Sequence, residues 1–212
     1  VCVNENREVA SERPLLRLML WLVALFRPGA CAMTVAGASR EYSAVPRAAV
    51  AICVRRSADA RYLLILRGKP PGKGKWSLPG GGIELGEETA LAARRELMEE
   101  CGLGRCSVRW SSRPFTTTDA IYRDLEAQVQ FHYLIAQYYC EANEGAAPKA
   151  GDDALDVRWW TLDEVARGAA DGTIAGNCDV VLQRAEELRR AGLLRCAPVE
   201  VEDGPTMESP GA

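Results

Sequence analysis

An α/β fold, with a mixed β-sheet held between helices, is what this sequence predicts, and three observations carry the expectation. The chain has 212 residues, 48% apolar and 26% charged, values close to those of globular domains and sufficient for one substantial core. Segments rich in β-branched and aromatic residues interleave with alanine-, leucine- and glutamate-rich segments, without the strict alternation of a doubly wound parallel sheet. The longest apolar run, Leu15 to Phe26, is interrupted by Arg17 and falls short of the roughly 20 residues of a membrane-spanning helix.

Residues 1–44 do not read as part of the domain. Three accounts are open: upstream sequence before a natural start at Met33, a cleaved targeting segment with Ala30-Cys31-Ala32 at its end, or a structured extension. Ala48–Val54 and Tyr62–Leu66 are apolar on both alternating faces and flank the polar turn Ser57-Ala58-Asp59-Ala60, which predicts a hairpin buried on both sides. The prolines and glycines of Arg67–Lys75 break both helix and strand, leaving a basic loop. A short strand at Trp76–Pro79 runs into Gly80-Gly81-Gly82, a helix is expected from about Glu88 to Cys101, and Gly102 stops it. Strands are expected at Ser107–Trp110, Arg113–Thr118, Gln128–Tyr139 and Val157–Trp160. Thr161 caps a short helix, and Asn177 or Asp179 opens a longer one to about Arg190. The fold is therefore expected over residues 45–195, and 196–212, acidic and without apolar periodicity, reads as a disordered tail.

The charge balance excludes several functions. Lys and Arg total 26 against 29 Asp and Glu, a net charge of -3, so no broad basic surface exists for nucleic acid or anionic lipid. The eight cysteines form no CxxC pair, which fits free thiols in a reducing compartment and a cytoplasmic location, with an organelle as the alternative if the N-terminal segment is a targeting peptide. His132 is the single histidine, which disfavours Ser-His-Asp and Cys-His catalysis and Cys/His metal clusters. Hydrolytic chemistry would have to run on carboxylates and metal.

Such carboxylates are present. Gly81 is followed after five residues by Glu87 and, after seven more, by Arg95-Glu96-Leu97-Met98-Glu99-Glu100-Cys101-Gly102-Leu103. On a helix, Glu96, Glu99 and Glu100 fall within about 100° of one face. They repel one another unless solvated or neutralised by a cation, and an oxygen-only set suits Mg²⁺ or Mn²⁺. A merely solvated acidic face is the alternative for a bare triplet of glutamates. Glycines that admit close backbone approach, Glu87 within reach of Arg95, and a preceding loop with Arg67, Lys69, Lys73 and Lys75 place phosphate-binding and cation-binding groups side by side.

This pattern resembles the signature of the Nudix hydrolases, Gly-x5-Glu-x7-Arg-Glu-U-x-Glu-Glu-x-Gly-U with U a bulky aliphatic residue, and matches at all nine specified positions. Seven fixed identities at about 7% each occur by chance on the order of 10⁻⁸ per start position. The resemblance extends to Gly74–Gly81 before the box and to His132-Tyr133, Gly151-Asp152-Asp153 and Trp159 after it, similar to an ADP-ribose pyrophosphatase-like branch. It implies an α/β/α sandwich with a mixed sheet and a Mg²⁺- or Mn²⁺-dependent hydrolase that cleaves a nucleoside diphosphate linked to another moiety. A nucleotide sugar such as ADP-ribose is the first substrate expectation. A nucleoside triphosphate pyrophosphatase of the oxidised-nucleotide type is the second, and a silent nucleotide-sensing module the third.

Carried onto this chain, the resemblance implies Glu96, Glu99 and Glu100 as metal ligands with the Gly80 carbonyl, and Glu87 as the residue that orients Arg95. Glu96 is the first choice of base, with Asp152 and Asp153 as alternatives. Gly81 lies at the substrate, and Arg67 and Lys75 grip phosphate or are simply solvated strand-end charges. Trp76, Trp159 and Tyr133 either stack on a base or fill the core, and His132 is structural. Asn177 reads the nucleobase or is only a helix cap. The expected partner is a small-molecule nucleotide, with no nucleic acid and no membrane, and a homodimer is an open possibility.

Overall fold

In the computed structural model, which describes residues 45–196, ten elements follow in the order β1 (Arg47–Arg56), β2 (Arg61–Arg67), β3 (Trp76–Ser77), α1 (Thr89–Cys101), β4 (Val108–Trp110), β5 (Thr116–Arg123), β6 (Val129–Ala142), β7 (Ala154–Trp160), α2 (Leu162–Asp171) and α3 (Cys178–Arg190). The expectations for residues 1–44 and 197–212 lie outside the described residues. Among the described residues no helix is long and apolar enough to cross a membrane.

The sheet is mixed, as expected. Its order is β3-β2-β1-β6-β4, with β5 also on β6 and β7 also on β2. The central pair, β1 with β6, is parallel over Arg47↔Tyr133 to Arg56↔Ala142, and the pairs around it are antiparallel. A central parallel strand is buried on both faces, which is why β1 reads as unbroken apolar sequence. On one face Val50, Ile52, Val54, Leu63 and Ile65 meet Ala92, Ala93 and Leu97 of α1. On the other, Cys53, Tyr62, Leu64 and Tyr139 meet Val165 of α2 and Val181, Leu182 and Ala185 of α3. The result is an α/β/α sandwich.

Helix ends follow their local chemistry. Gly102, at φ 65°, closes α1, donating to Met98 O at 2.9 Å while Leu103 N–H reaches Leu97 O, a left-handed cap that satisfies otherwise orphan carbonyls. Thr161 opens α2 with a reciprocal capping box to Glu164. Several strands run further than the sequence suggested, β5 and β7 among them. β5 continues to Arg123 and β7 begins at Ala154, because both are held by ladders to β6 and β2, and pairing with a long neighbour overrides weak local propensity.

Candidate active site

The glycine turn after β3 runs back across β1. Ile52 N–H donates to Pro79 O and Val50 N–H to Gly81 O, each at 2.9 Å. Gly80 has φ +146°, and a Cβ there would collide with the Val50 carbonyl oxygen, so only glycine fits. Its N–H turns to α1 and donates to Glu100 Oε2 at 2.7 Å. Among the described residues its carbonyl has no backbone partner. At Gly81 a Cβ would stand 2.5 Å from Glu96 Oε1, so the missing side chain makes room for that carboxylate.

The other wall comes from the end of α1. Its last carbonyls, which lack helical partners, accept from the segment that follows β6: Lys149 N–H donates to Cys101 O at 2.9 Å and Gly151 N–H to Glu100 O at 3.0 Å. This docks Asp152 and Asp153 beside the helix. Asp153 ties in the basic loop as well, through an ion pair with Lys69 and a hydrogen bond from Gly68 N–H to its carbonyl.

Arg95 organises the acidic groups. Its Nε and Nη2 donate to the two oxygens of Glu87 at 2.8 and 2.9 Å, Nη2 also to Gly82 O at 2.9 Å, and Nη1 to Glu96 at 2.9 Å and Glu99 at 3.2 Å. The paired bonds from Arg95, helped by Glu84 N–H, hold the Glu87 carboxyl down at about 2. Glu100 is the opposite case. It is 5% exposed, and burial pushes its carboxyl up to about 8 against the opposing Gly80 N–H, with Glu96 adding repulsion. Burial also raises Glu96, although Arg95 opposes it. Left to itself, then, this cluster limits its charge by keeping a proton on Glu100 and by pairing Glu87, Glu96 and Glu99 with Arg95. Among the described residues no three Asp, Glu, His or Cys side chains stand ready-made around a single point, since Arg95 engages Glu96 and Glu99 while Glu100 accepts from Gly80.

Two cavities meet at this place. One, of about 250 Å³, is polar and is lined by Arg67, Glu96, Glu99, Glu100, Asp152 and Asp153, with Arg95 and Gly80 to Gly82. The other, of about 260 Å³, lies on the α3 face of the sheet and has Ala49, Ala51, Tyr122, Tyr133, Gln137 and Asn177 among its lining residues. Arg67 and the three glycines line both. Arg67 is steadied by a 2.8 Å bond from its Nε to Pro71 O.

The remaining expected residues separate cleanly. Asn177 stands at the N-cap of α3 without making a side-chain cap bond and lines the apolar cavity. Lys75 is exposed and lines neither cavity. Of the three aromatics, only Tyr133 faces the cavity. Trp76 packs edge-on against Trp160 in the core, and Arg56 sits over Trp159. His132 meets Asp119 at 3.1 Å on the β5–β6 hairpin. Sequence reasoning missed Gln137, Tyr122 and the floor at Ala49 and Ala51. The one local signal was the run of small residues in an otherwise bulky strand.

The order Gly81, Glu87, Arg95, Glu96, Glu99, Glu100, folded as a turn and helix around one polar cavity, has its counterpart among known proteins. Residues 45–176 match the model of the NUDIX domain. The chain belongs to the Nudix family. It is 30% identical over 113 residues to an ADP-ribose pyrophosphatase from Methanocaldococcus jannaschii, covering 53% of this chain and 62% of that protein. It is 28% identical over 108 residues to an oxidized purine nucleoside triphosphate hydrolase from Danio rerio, covering 50% and 61%. The chain thus spans about three fifths of the length of these curated relatives. A MutT Nudix hydrolase from Burkholderia pseudomallei superposes with a TM-score of 0.51 at 25% identity, over 66% of this chain and 97% of that one. The sandwich fold is common to both.

Proposed function

We propose that this Nudix chain is a divalent-metal-dependent pyrophosphohydrolase of a nucleoside diphosphate linked to a second moiety, with a nucleotide sugar of the ADP-ribose type as substrate. The observation that carries it is the pair of cavities, one carboxylate-rich and one apolar, joined at Arg67 and Gly80–Gly82. A substrate with an apolar, flat nucleoside and a charged diphosphate matches that division. Similarity to the archaeal ADP-ribose pyrophosphatase supports the nucleotide-sugar choice.

The donor set fits Mg²⁺ or Mn²⁺: all oxygen and crowded, with Glu100 buried deeply enough to hold its proton to about 8. Glu96, Glu99 and Glu100 would hold the ion, with the Gly80 carbonyl, which has no backbone partner among the described residues. When bound, the ion supplies charge neutralisation for the diphosphate and a lower pKa for the attacking water. Arg67 grips a phosphate oxygen at the junction of the cavities. Glu96 accepts the proton of the water as general base. Of the two alternatives, Asp152 is the freer, because Asp153 is paired with Lys69. Glu87 orients Arg95, and Arg95 in turn sets Glu96 and Glu99. Asn177 faces the base from the start of α3. Lys75, outside both cavities, takes no part.

A panel of ADP-ribose, other nucleotide sugars and oxidised nucleoside triphosphates, assayed with Mg²⁺ and with products separated, tests the reading. ADP-ribose should yield AMP and ribose 5-phosphate with no inorganic phosphate. Turnover of 8-oxo-dGTP to the monophosphate and pyrophosphate at a kcat/KM tenfold above ADP-ribose would reject the sugar substrate.

A further inference from the structure

One polar group in the apolar cavity is left unanswered by the other described residues. Gln137, midway along β6, is 3% exposed and lines the cavity. Its Nε2 donates to Thr118 Oγ1 on β5 at 2.9 Å, whereas its Oε1 is buried and has no hydrogen-bond partner among the described residues. A buried acceptor without a donor is costly, and such an atom beside a cavity is expected to meet its donor in a ligand.

The neighbouring strand leaves the way open. Ala51 is the register partner of Gln137 and Ala49 that of Ile135, so methyl groups stand where longer side chains would cover the amide. No Asp, Glu, Lys or His lines this cavity among the described residues. Its polar reading is thus left largely to the amides of Gln137 and Asn177 and to the two tyrosines.

Position decides which part of a nucleotide reaches Gln137. Arg67, at the diphosphate end, is on β2, and β1 lies between β2 and β6. Two strand spacings are about 10 Å, too far for the ribose hydroxyls next to the phosphate and suited to the far edge of the base.

We infer that Gln137 is a specificity-determining residue whose side-chain oxygen accepts a hydrogen bond from the exocyclic amino group of a purine base. The inference rests on the proposal that the apolar cavity seats the nucleoside. Amides pair naturally with the adenine amino edge, to which Asn and Gln present donor and acceptor together. The Thr118 contact holds the amide in place, which leaves the second Nε2 hydrogen and Oε1 as the groups that would meet the base.

Calorimetric binding of AMP, GMP and purine riboside 5′-monophosphate, which lacks the amino group, tests this without turnover. The wild-type protein should bind AMP or GMP about tenfold more tightly than the amine-free nucleotide. Gln137→Met, close in volume, should bring the preference within about twofold. Equal binding of all three by the wild type, or an undiminished preference in the Met variant, overturns the inference. If Gln137→Met does not fold, Thr118→Val removes only the partner that orients the amide. It should cut the preference at least threefold, and an unchanged preference would again overturn the inference. Amine-selective binding without hydrolysis of any nucleotide sugar would contradict the proposed reaction and leave the role of Gln137 standing. Hydrolysis without amine selectivity would do the reverse.

Discussion

Arg95 and Glu87 meet through two parallel hydrogen bonds, Nε to Oε1 at 2.8 Å and Nη2 to Oε2 at 2.9 Å. The pair joins the loop before α1 to the carboxylates on it, because the third nitrogen of the same guanidinium reaches Glu96 and Glu99. Bidentate pairing fixes a plane as well as a distance, so the orientation of two prospective metal-binding residues depends on a residue eight positions upstream.

Replacing Glu87 by Gln should keep the size and lose one of the two strong acceptors. Arg95 then turns more fully onto Glu96 and Glu99. Expected is a fall in kcat of about tenfold or more with KM changed by less, as for loss of positioning rather than of binding. Steady-state kinetics at saturating Mg²⁺ would show it.

Glu100→Gln should have a larger effect. It removes a charge from the ligand set without changing shape, and we expect turnover to fall by about 100-fold or more. Since the native carboxylate is buried and crowded, the metal-free variant should unfold at a Tm no lower than wild type. Near-normal turnover at saturating metal would contradict the ligand assignment.

Gly81→Ala separates function from stability. The added methyl would stand 2.5 Å from Glu96 Oε1, the end of a flexible side chain. Glu96 can swing away at little cost to the fold, so Tm should change by a few degrees at most while turnover drops about tenfold. A variant with unchanged kinetics would mean that Glu96 does not act from this position.

Far from the cavities, Glu186 makes stability depend on pH. It is 6% exposed and accepts from Arg189 at 2.8 and 3.0 Å, from Arg190 at 2.8 Å and from the Tyr62 hydroxyl at 2.8 Å. Arg189 above all, with Tyr62 and Arg190, holds its carboxyl down at about 2 from an ordinary 4.5. With the native value lowered, the contribution is full above about pH 4.5 and is lost as pH falls toward 2. Glu186→Gln should cost on the order of 2 kcal/mol at neutral pH and flatten the acid limb of stability between those values. Urea denaturation from pH 2.5 to 7 measures both.

The α1 region was legible because its chemistry is local. Glu87, Arg95 and the three glutamates lie within fourteen residues, and helical spacing alone gathers the last three onto one face. Gly102 as the stop and Thr161 as a cap were readable for the same reason. The apolar cavity was not, since its walls come from β1, β5, β6 and the start of α3, brought together only by sheet order. Gln137 reads in sequence as one polar residue on a half-exposed strand, and its unmatched oxygen exists only once Ala51 is its neighbour. Trp76 and Trp159 carry the same side chain that a base-stacking residue would, and only packing shows that they serve the core. Glu186 likewise reads as a solvated helix charge until Tyr62 and Arg55 are found against it.

The central claim, that a divalent cation on the α1 carboxylates drives hydrolysis of a diphosphate, is tested most directly by metal exchange on the purified chain with ADP-ribose. Dialysis against EDTA should abolish formation of AMP and ribose 5-phosphate, and Mg²⁺ or Mn²⁺ should restore it in wild type but not in Glu100→Gln. Undiminished hydrolysis in chelator, or equal restoration in the variant, would contradict it.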